Sequence, residues 1–165
     1  MSLEIEGKWL IGEFDTNVSE HFEKIEQGYI AQDDRGIVRV RRIGDTTVMT
    51  VKGRQVDGAK PEVEFAITED TFSQLWPMTN GRIEKTRYYV DMDYELMGKS
   101  VQLTVEVDVF GGDLKGFVMA EIEVGSREEL ITLRQNPPTW FGRDVTDDMR
   151  YSNSQLAKVG LPEVA

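Results

Sequence analysis

The chain has no cysteine and a single histidine. Disulfides and thiolate metal sites are therefore excluded. His21 lies between acids on an expected surface helix and is read as a solvated side chain. Long apolar runs are missing too, since none approaches the roughly 20 residues that a bilayer-spanning helix requires. The opening Met1-Ser2-Leu3-Glu4-Ile5-Glu6 carries neither the basic nor the apolar segment of a secretory signal, so a cytoplasmic protein without a membrane partner is expected. Positive charge is scarce, with 19 Lys and Arg against 30 Asp and Glu and a formal net charge of −11. That balance argues against nucleic acid as a partner, because duplex affinity draws mostly on neutralising phosphates with a basic field. A small anionic ligand remains compatible, provided that cations are concentrated locally or metal ions intervene.

What is present is 165 residues, of which 39% are hydrophobic and 30% charged. These figures suit one soluble globular domain over residues 1–165, and a monomer or homodimer is expected. No low-complexity stretch, solenoid repeat or Gly/Ser linker interrupts it. Ser19 is placed to cap a short helix carrying Phe22 and Ile25. Thr68 is placed to cap another, with Phe72, Leu75 and Trp76 on one face and Pro77 as its stop. Ser126 and Glu129 have capping-box spacing ahead of Leu130 and Leu133. Turn signals stand at Asp33-Asp34-Arg35-Gly36, Gly44-Asp45, Asp57-Gly58, Met97-Gly98-Lys99 and Gly111-Gly112. After Pro137-Pro138 a tail of about residues 137–165 is expected to wrap the domain and end in a helix around Leu156.

The rest reads as β-strands with an unusual pattern. Residues two apart in a strand share a face, and here such pairs are charged repeatedly. Glu4, Glu6 and Lys8 alternate with Leu3, Ile5 and Trp9. Arg39 and Arg41 alternate with Val38 and Val40, and Lys52 follows Val51. Glu62 and Glu64 flank Val63, and Lys85 and Arg87 flank Thr86. Glu106 and Asp108 flank Val107, while Glu121 and Glu123 flank Ile122. The plain reading is a sheet with one wet face. It accounts poorly for acids and bases that segregate by strand, since like charges at i and i+2 repel and an ordinary solvent face mixes signs. A closed or nearly closed barrel of about eight strands, its apolar outer face covered by the short helices and the tail, would gather the charges into one lumen. Because charges buried without partners are costly, such a lumen is wet, mutually paired, or built for a polyvalent ligand. A phosphate chain answers both walls: carboxylates hold hard cations such as Mg²⁺ or Mn²⁺, and Arg and Lys hold the phosphate oxygens.

Glu4-Ile5-Glu6-Gly7-Lys8 resembles the ExExK signature of the CYTH superfamily, the triphosphate tunnel metalloenzymes. The resemblance runs colinearly through the Arg39-Val40-Arg41 and Lys52 strands, Glu62-Val63-Glu64, Glu84 to Tyr88, Glu106 to Phe110 and Glu121 to Val124. It ends in Trp140-Phe141-Gly142, Val145-Thr146 and Arg150 to Asn153, and is most like the small bacterial inorganic triphosphatases. It implies a mainly β fold, an eight-stranded antiparallel closed β-barrel or tunnel with short helices packed outside, that binds a triphosphate lengthwise with two divalent ions, Mg²⁺ or Mn²⁺, and hydrolyses it to release orthophosphate. Implied metal ligands are Glu4, Glu6, Glu62, Glu64, Asp108, Glu121 and Glu123, with Glu106 close by. Implied phosphate-binding residues are Lys8, Arg39, Arg41, Lys52, Lys85, Arg87 and Arg150. Catalytic roles fall to Glu4, Glu6, Lys8, Tyr29 and Lys85, Tyr29 matching a tyrosine that contacts the signature lysine. Two positions depart from the pattern: Gly7 stands where Arg is common, on the outward side of its strand, and Met149 replaces a frequent Lys. An adenylate cyclase of the same superfamily, a thiamine triphosphatase and a non-catalytic polyphosphate binder remain alternatives.

Overall fold

The computed structural model describes residues 5–54 and 61–163; Glu4 and the Asp57-Gly58 turn lie outside them. Eight antiparallel strands form one sheet: β1 (Ile5–Leu10), β2 (Phe22–Asp33), β3 (Gly36–Ile43), β4 (Thr46–Gly53), β5 (Glu62–Ala66), β6 (Arg82–Leu96), β7 (Lys99–Phe110) and β8 (Val118–Val124). Their spatial order is β1-β8-β7-β6-β2-β3-β4-β5. Three short helices accompany the sheet: α1 (Glu69–Leu75), α2 (Arg127–Gln135) and α3 (Asn153–Val159). None is long and apolar enough to cross a membrane. The caps expected for α1 and α2 form, Thr68 Oγ1 accepting from Thr71 N–H at 3.0 Å and Ser126 Oγ from Glu129 N–H at 3.2 Å. The Glu129 carboxylate turns back to the Gly125 N–H at 2.8 Å and completes the box one residue early.

One expectation is corrected. No helix follows Ser19. A single 3-10 turn at Thr16–Val18, capped by Asp15, leads into the long strand β2. Ser19 Oγ instead donates to the Tyr89 carbonyl at 2.6 Å, and pairing with β6 satisfies the β2 backbone better than one helical turn would. Closure into a barrel is not shown: among the described residues β1 and β5 are the two edges of the sheet, and no pairing joins them. The edge of β1 is already occupied, because the tail lies along it. Gly142 N–H donates to the Leu10 carbonyl, Leu10 N–H to the Arg143 carbonyl, and Val145 N–H to the Lys8 carbonyl at 2.8–2.9 Å.

Strand alternation sends two kinds of surface to opposite faces. One face is apolar, with Trp9, Val105, Val107, Ala120 and Ile122 fully buried beneath Leu133 of α2. The other face is apolar only at one end, where Ile83, Phe110, Leu114 and Met119 meet Val145, Tyr151 and Leu156 of the tail. This second cluster makes a floor, and the charged residues occupy the remainder of that face.

Candidate active site

The β6–β8 half of the charged face is densely paired. Arg87 stands opposite Asp108, Glu106 opposite Glu121, Lys8 opposite Glu121, and Glu6 opposite Glu123. Asp108 is entirely buried. It accepts Lys85 Nζ at 2.8 Å, Arg87 Nε at 2.7 Å and Arg87 Nη2 at 2.9 Å. Arg87 also reaches Glu106 at 2.9 Å and Glu121 at 3.8 Å. Burial by itself would raise the Asp108 pKa, yet the Lys85 charge and the Arg87 hydrogen bonds hold it below the usual carboxylate range. Burial pulls Lys85 down against the Asp108 charge. For Arg87 the pull of burial is outweighed by Asp108 and the pKa is raised. Glu106 is pushed up, chiefly by burial. Lys8 lies 3.6 Å from Glu6 and 3.8 Å from Glu121 Oε1, ion-pair separations too long for hydrogen bonds. Glu121 Oε1 is buried without a hydrogen-bond partner.

The β2–β5 half is cationic and loosely paired. Arg39 and Arg41 stand between Tyr29 and Gln27 on β2 and Thr50 and Val48 on β4. Arg39 reaches Thr50 only at 3.5 Å, and Arg41 reaches Glu64 only at 3.7 Å. The Nε of each is buried with no partner. Burial lowers the Arg41 pKa, and the neighbouring Arg39 adds to the effect. Glu64 is drawn to Thr50 instead, whose hydroxyl donates to it at 2.7 Å. Lys52 stands opposite Glu62 on β5, an edge strand among the described residues.

The structure thus brings Glu6, Lys8, Lys85, Arg87, Glu106, Asp108, Glu121 and Glu123 onto adjoining strands, with Arg39, Arg41, Lys52, Glu62 and Glu64 across β2. Arg150 is not gathered with them. It is exposed in a 3-10 turn at Met149–Tyr151 and forks onto Asp148 at 2.6 and 2.9 Å. Tyr29 accepts Gln27 Nε2 at 3.2 Å, and no hydrogen bond joins it to Lys8 among the described residues. Strand alternation does not reveal Asn153, whose Oδ1 lies 3.4 Å from Lys85 Nζ. It does carry a signal for Glu23, which the expected helix at Ser19 obscures. Glu23 accepts the Tyr89 hydroxyl at 2.8 Å, and burial, then that bond, push the tyrosine up to about 12. Among the described residues no three acids stand close enough to hold a metal ion. The donor chemistry nevertheless fits a hard divalent cation. Glu6, Glu121 and Glu123 supply only oxygens from the β1–β8 pair, and one buried Glu121 oxygen is unsatisfied.

Comparison with known proteins points the same way. The CYTH domain model matches residues 2–137. An inorganic triphosphatase of Nitrosomonas europaea is 36% identical over 157 residues, covering 93% of this chain and 96% of that protein. An inorganic triphosphatase of Acetivibrio thermocellus is 36% identical over 134 residues, covering 80% of this chain and 78% of its own. The crystal structure of an inorganic triphosphatase superposes with a TM-score of 0.69 at 35% identity, covering 95% of both chains.

Proposed function

The chain belongs to the CYTH domain family, and from that premise we propose that it is a triphosphatase, a hydrolase of the phosphoanhydride bond in a linear triphosphate. Inorganic tripolyphosphate is the substrate and orthophosphate a product. One observation carries this reading: on a single face, two buried arginine Nε atoms and one buried carboxylate oxygen lack hydrogen-bond partners, the carboxylate oxygen having only a long ion pair with Lys8. Orphaned donors call for an anion and an orphaned carboxylate calls for a cation, and a metal-bound phosphate chain supplies both.

Arg39, Arg41 and Lys52 hold phosphate oxygens on the β3–β4 side. Lys8, Lys85 and Arg87 neutralise charge that develops on the leaving phosphate. Tyr29, between Gln27 and Arg39, is a neutral donor in the same cradle. Glu6, Glu121 and Glu123, together with Glu4, would hold Mg²⁺ or Mn²⁺, two ions in all, with Glu62 and Glu64 as further candidate carboxylates on β5. When bound, the ions screen phosphate charge and acidify the attacking water. The carboxylates of this set take the proton that water gives up. Asp108 spends both oxygens on Lys85 and Arg87, which makes it the anchor of those cations more than a ligand. Arg150 joins the phosphate grip only if its fork with Asp148 opens. Closure of the open ladder around the phosphate chain would turn this face into a tunnel.

The test is to incubate metal-stripped protein with tripolyphosphate, ATP or thiamine triphosphate, with and without Mg²⁺ or Mn²⁺, and to identify every product. Metal-dependent orthophosphate release, fastest from tripolyphosphate and lost in Glu121→Gln, is expected. Cyclic AMP with pyrophosphate from ATP would overturn the hydrolase reading in favour of a cyclase. Tight binding without turnover would reduce the protein to a binding module.

A further inference from the structure

The family model ends at residue 137, yet the charged face leans on the chain beyond it. Thr146 Oγ1 accepts the Lys8 backbone N–H at 3.1 Å, and Val145 N–H donates to the Lys8 carbonyl at 2.9 Å. Further on, α3 enters the floor, where Leu156 packs with Ile83, Phe110 and Met119. The first residue of α3 is Asn153, and its Oδ1 lies 3.4 Å from Lys85 Nζ.

That ammonium is nearly sealed from water, its side chain being 2% exposed. It has three protons to place. Asp108 Oδ2 takes one at 2.8 Å, Asn153 Oδ1 accepts a second, and the Phe110 ring lies 5.6 Å away. Asp108 alone would draw the ammonium toward β7. A second acceptor arriving from a different element fixes its direction. The Asn153 side chain is not needed to start the helix, because Ser152 already caps it through the Gln155 N–H at 3.3 Å.

We infer that Asn153 is a positioning residue for Lys85, aiming the ammonium so that one proton remains for an incoming phosphate, and that α3 thereby completes the active site from beyond residue 137, where the match to the family model stops. This rests on the reading of Lys85 as a phosphate-handling cation.

The test compares Asn153→Leu, which keeps the branched heavy-atom shape and removes the oxygen, with Asn153→Asp, which keeps the oxygen. With tripolyphosphate and Mg²⁺, kcat of Asn153→Leu is expected to fall about tenfold, the scale of one hydrogen bond to a charged group. KM and the thermal midpoint should stay near those of the wild type, and Asn153→Asp should recover most of the loss. In a Lys85→Met background, Asn153→Leu should lower the residual activity no further. Equal losses in the Leu and Asp variants, or a full further loss in the Lys85→Met background, would overturn the inference. The slowly exchanging ¹H–¹⁵N signal of the Lys85 ammonium gives a readout without turnover, retained in wild type and Asn153→Asp and lost in Asn153→Leu. That pattern in a chain that hydrolyses no triphosphate would sink the triphosphatase reading and support the positioning contact. An unchanged signal in Asn153→Leu would sink the contact itself.

Discussion

Asp108 is a buried charge and Arg41 a half-buried one, and they differ in what surrounds them. Asp108 is entirely buried and satisfied by three hydrogen bonds from two cations. Replacing it with Asn leaves Lys85 and Arg87 short of counter-charge in a dry setting, so Asp108→Asn should lose about 3 kcal/mol or more of stability. Urea unfolding measures this, and an unchanged midpoint would mean that the pair is dispensable. Arg41 is the converse, with an Nε that is buried and already unpaired. Arg41→Gln should leave the urea midpoint no lower and raise KM for tripolyphosphate about tenfold, the loss of one charge-assisted contact. Lower stability with an unaltered KM would make Arg41 a structural residue. At this scale the sequence shows which residue types share a face, as in Lys85 with Arg87 and Glu106 with Asp108. It cannot show that Asp108 is saturated while Glu121 keeps an unsatisfied oxygen, because that depends on distances of a few tenths of an ångström between side chains on neighbouring strands.

Among the elements, β1 and α2 are fitted to each other through a missing side chain. A Cβ on Gly7 would run into the Trp9 ring and meet Leu130 Cδ1 of α2 at 3.1 Å. Gly7→Ala should therefore cost about 1–3 kcal/mol by overpacking, with a shifted Trp9 fluorescence maximum as its signature. Normal stability would show that α2 can give way. The tail is bound to α2 by Arg134 Nε, which donates to Asp144 at 2.7 Å, and Asp144 Oδ1 accepts the Thr146 N–H at 2.9 Å. Burial would raise the Asp144 pKa, but these bonds lower it on balance. A carboxylate depressed in the folded state contributes stability that is present above its unfolded value, about 3.9, and is lost as pH falls through the folded one. Stability plotted against pH should thus be flatter below about pH 4 in Asp144→Asn than in the wild type, and identical slopes would refute the linkage. The strands, the caps of α1 and α2 and the terminal helix were legible because alternation and capping are local. The helix expected at Ser19 was wrong because a non-local partner, β6, claims that backbone. Barrel closure was out of reach for another reason, since alternation within a strand does not show which strand edges meet.

For the molecule as a whole, a ligand that bridges the two halves of the charged face should tighten the fold by mass action. Tripolyphosphate with Mg²⁺ at about 100 times its Kd should add about 2.7 kcal/mol, seen as a higher thermal midpoint. Omitting Mg²⁺ should remove most of that gain in a chain whose net charge is −11, because the bare anion then meets the acidic strands unscreened. A full shift without metal would contradict the division of labour between acids and bases. The unequal edges of the sheet also bear on how the molecule is made. β1 is translated first, but its partner β8 spans residues 118–124 and the segment along its other edge spans residues 142–145. At about 5–20 residues per second, the strand carrying Glu6, Lys8 and Trp9 waits on the order of ten seconds before either neighbour leaves the ribosome. Asn153 emerges later still. A nascent chain halted before α3 therefore already has both neighbours of β1 in hand, while its Lys85 still lacks the acceptor that Asn153 brings.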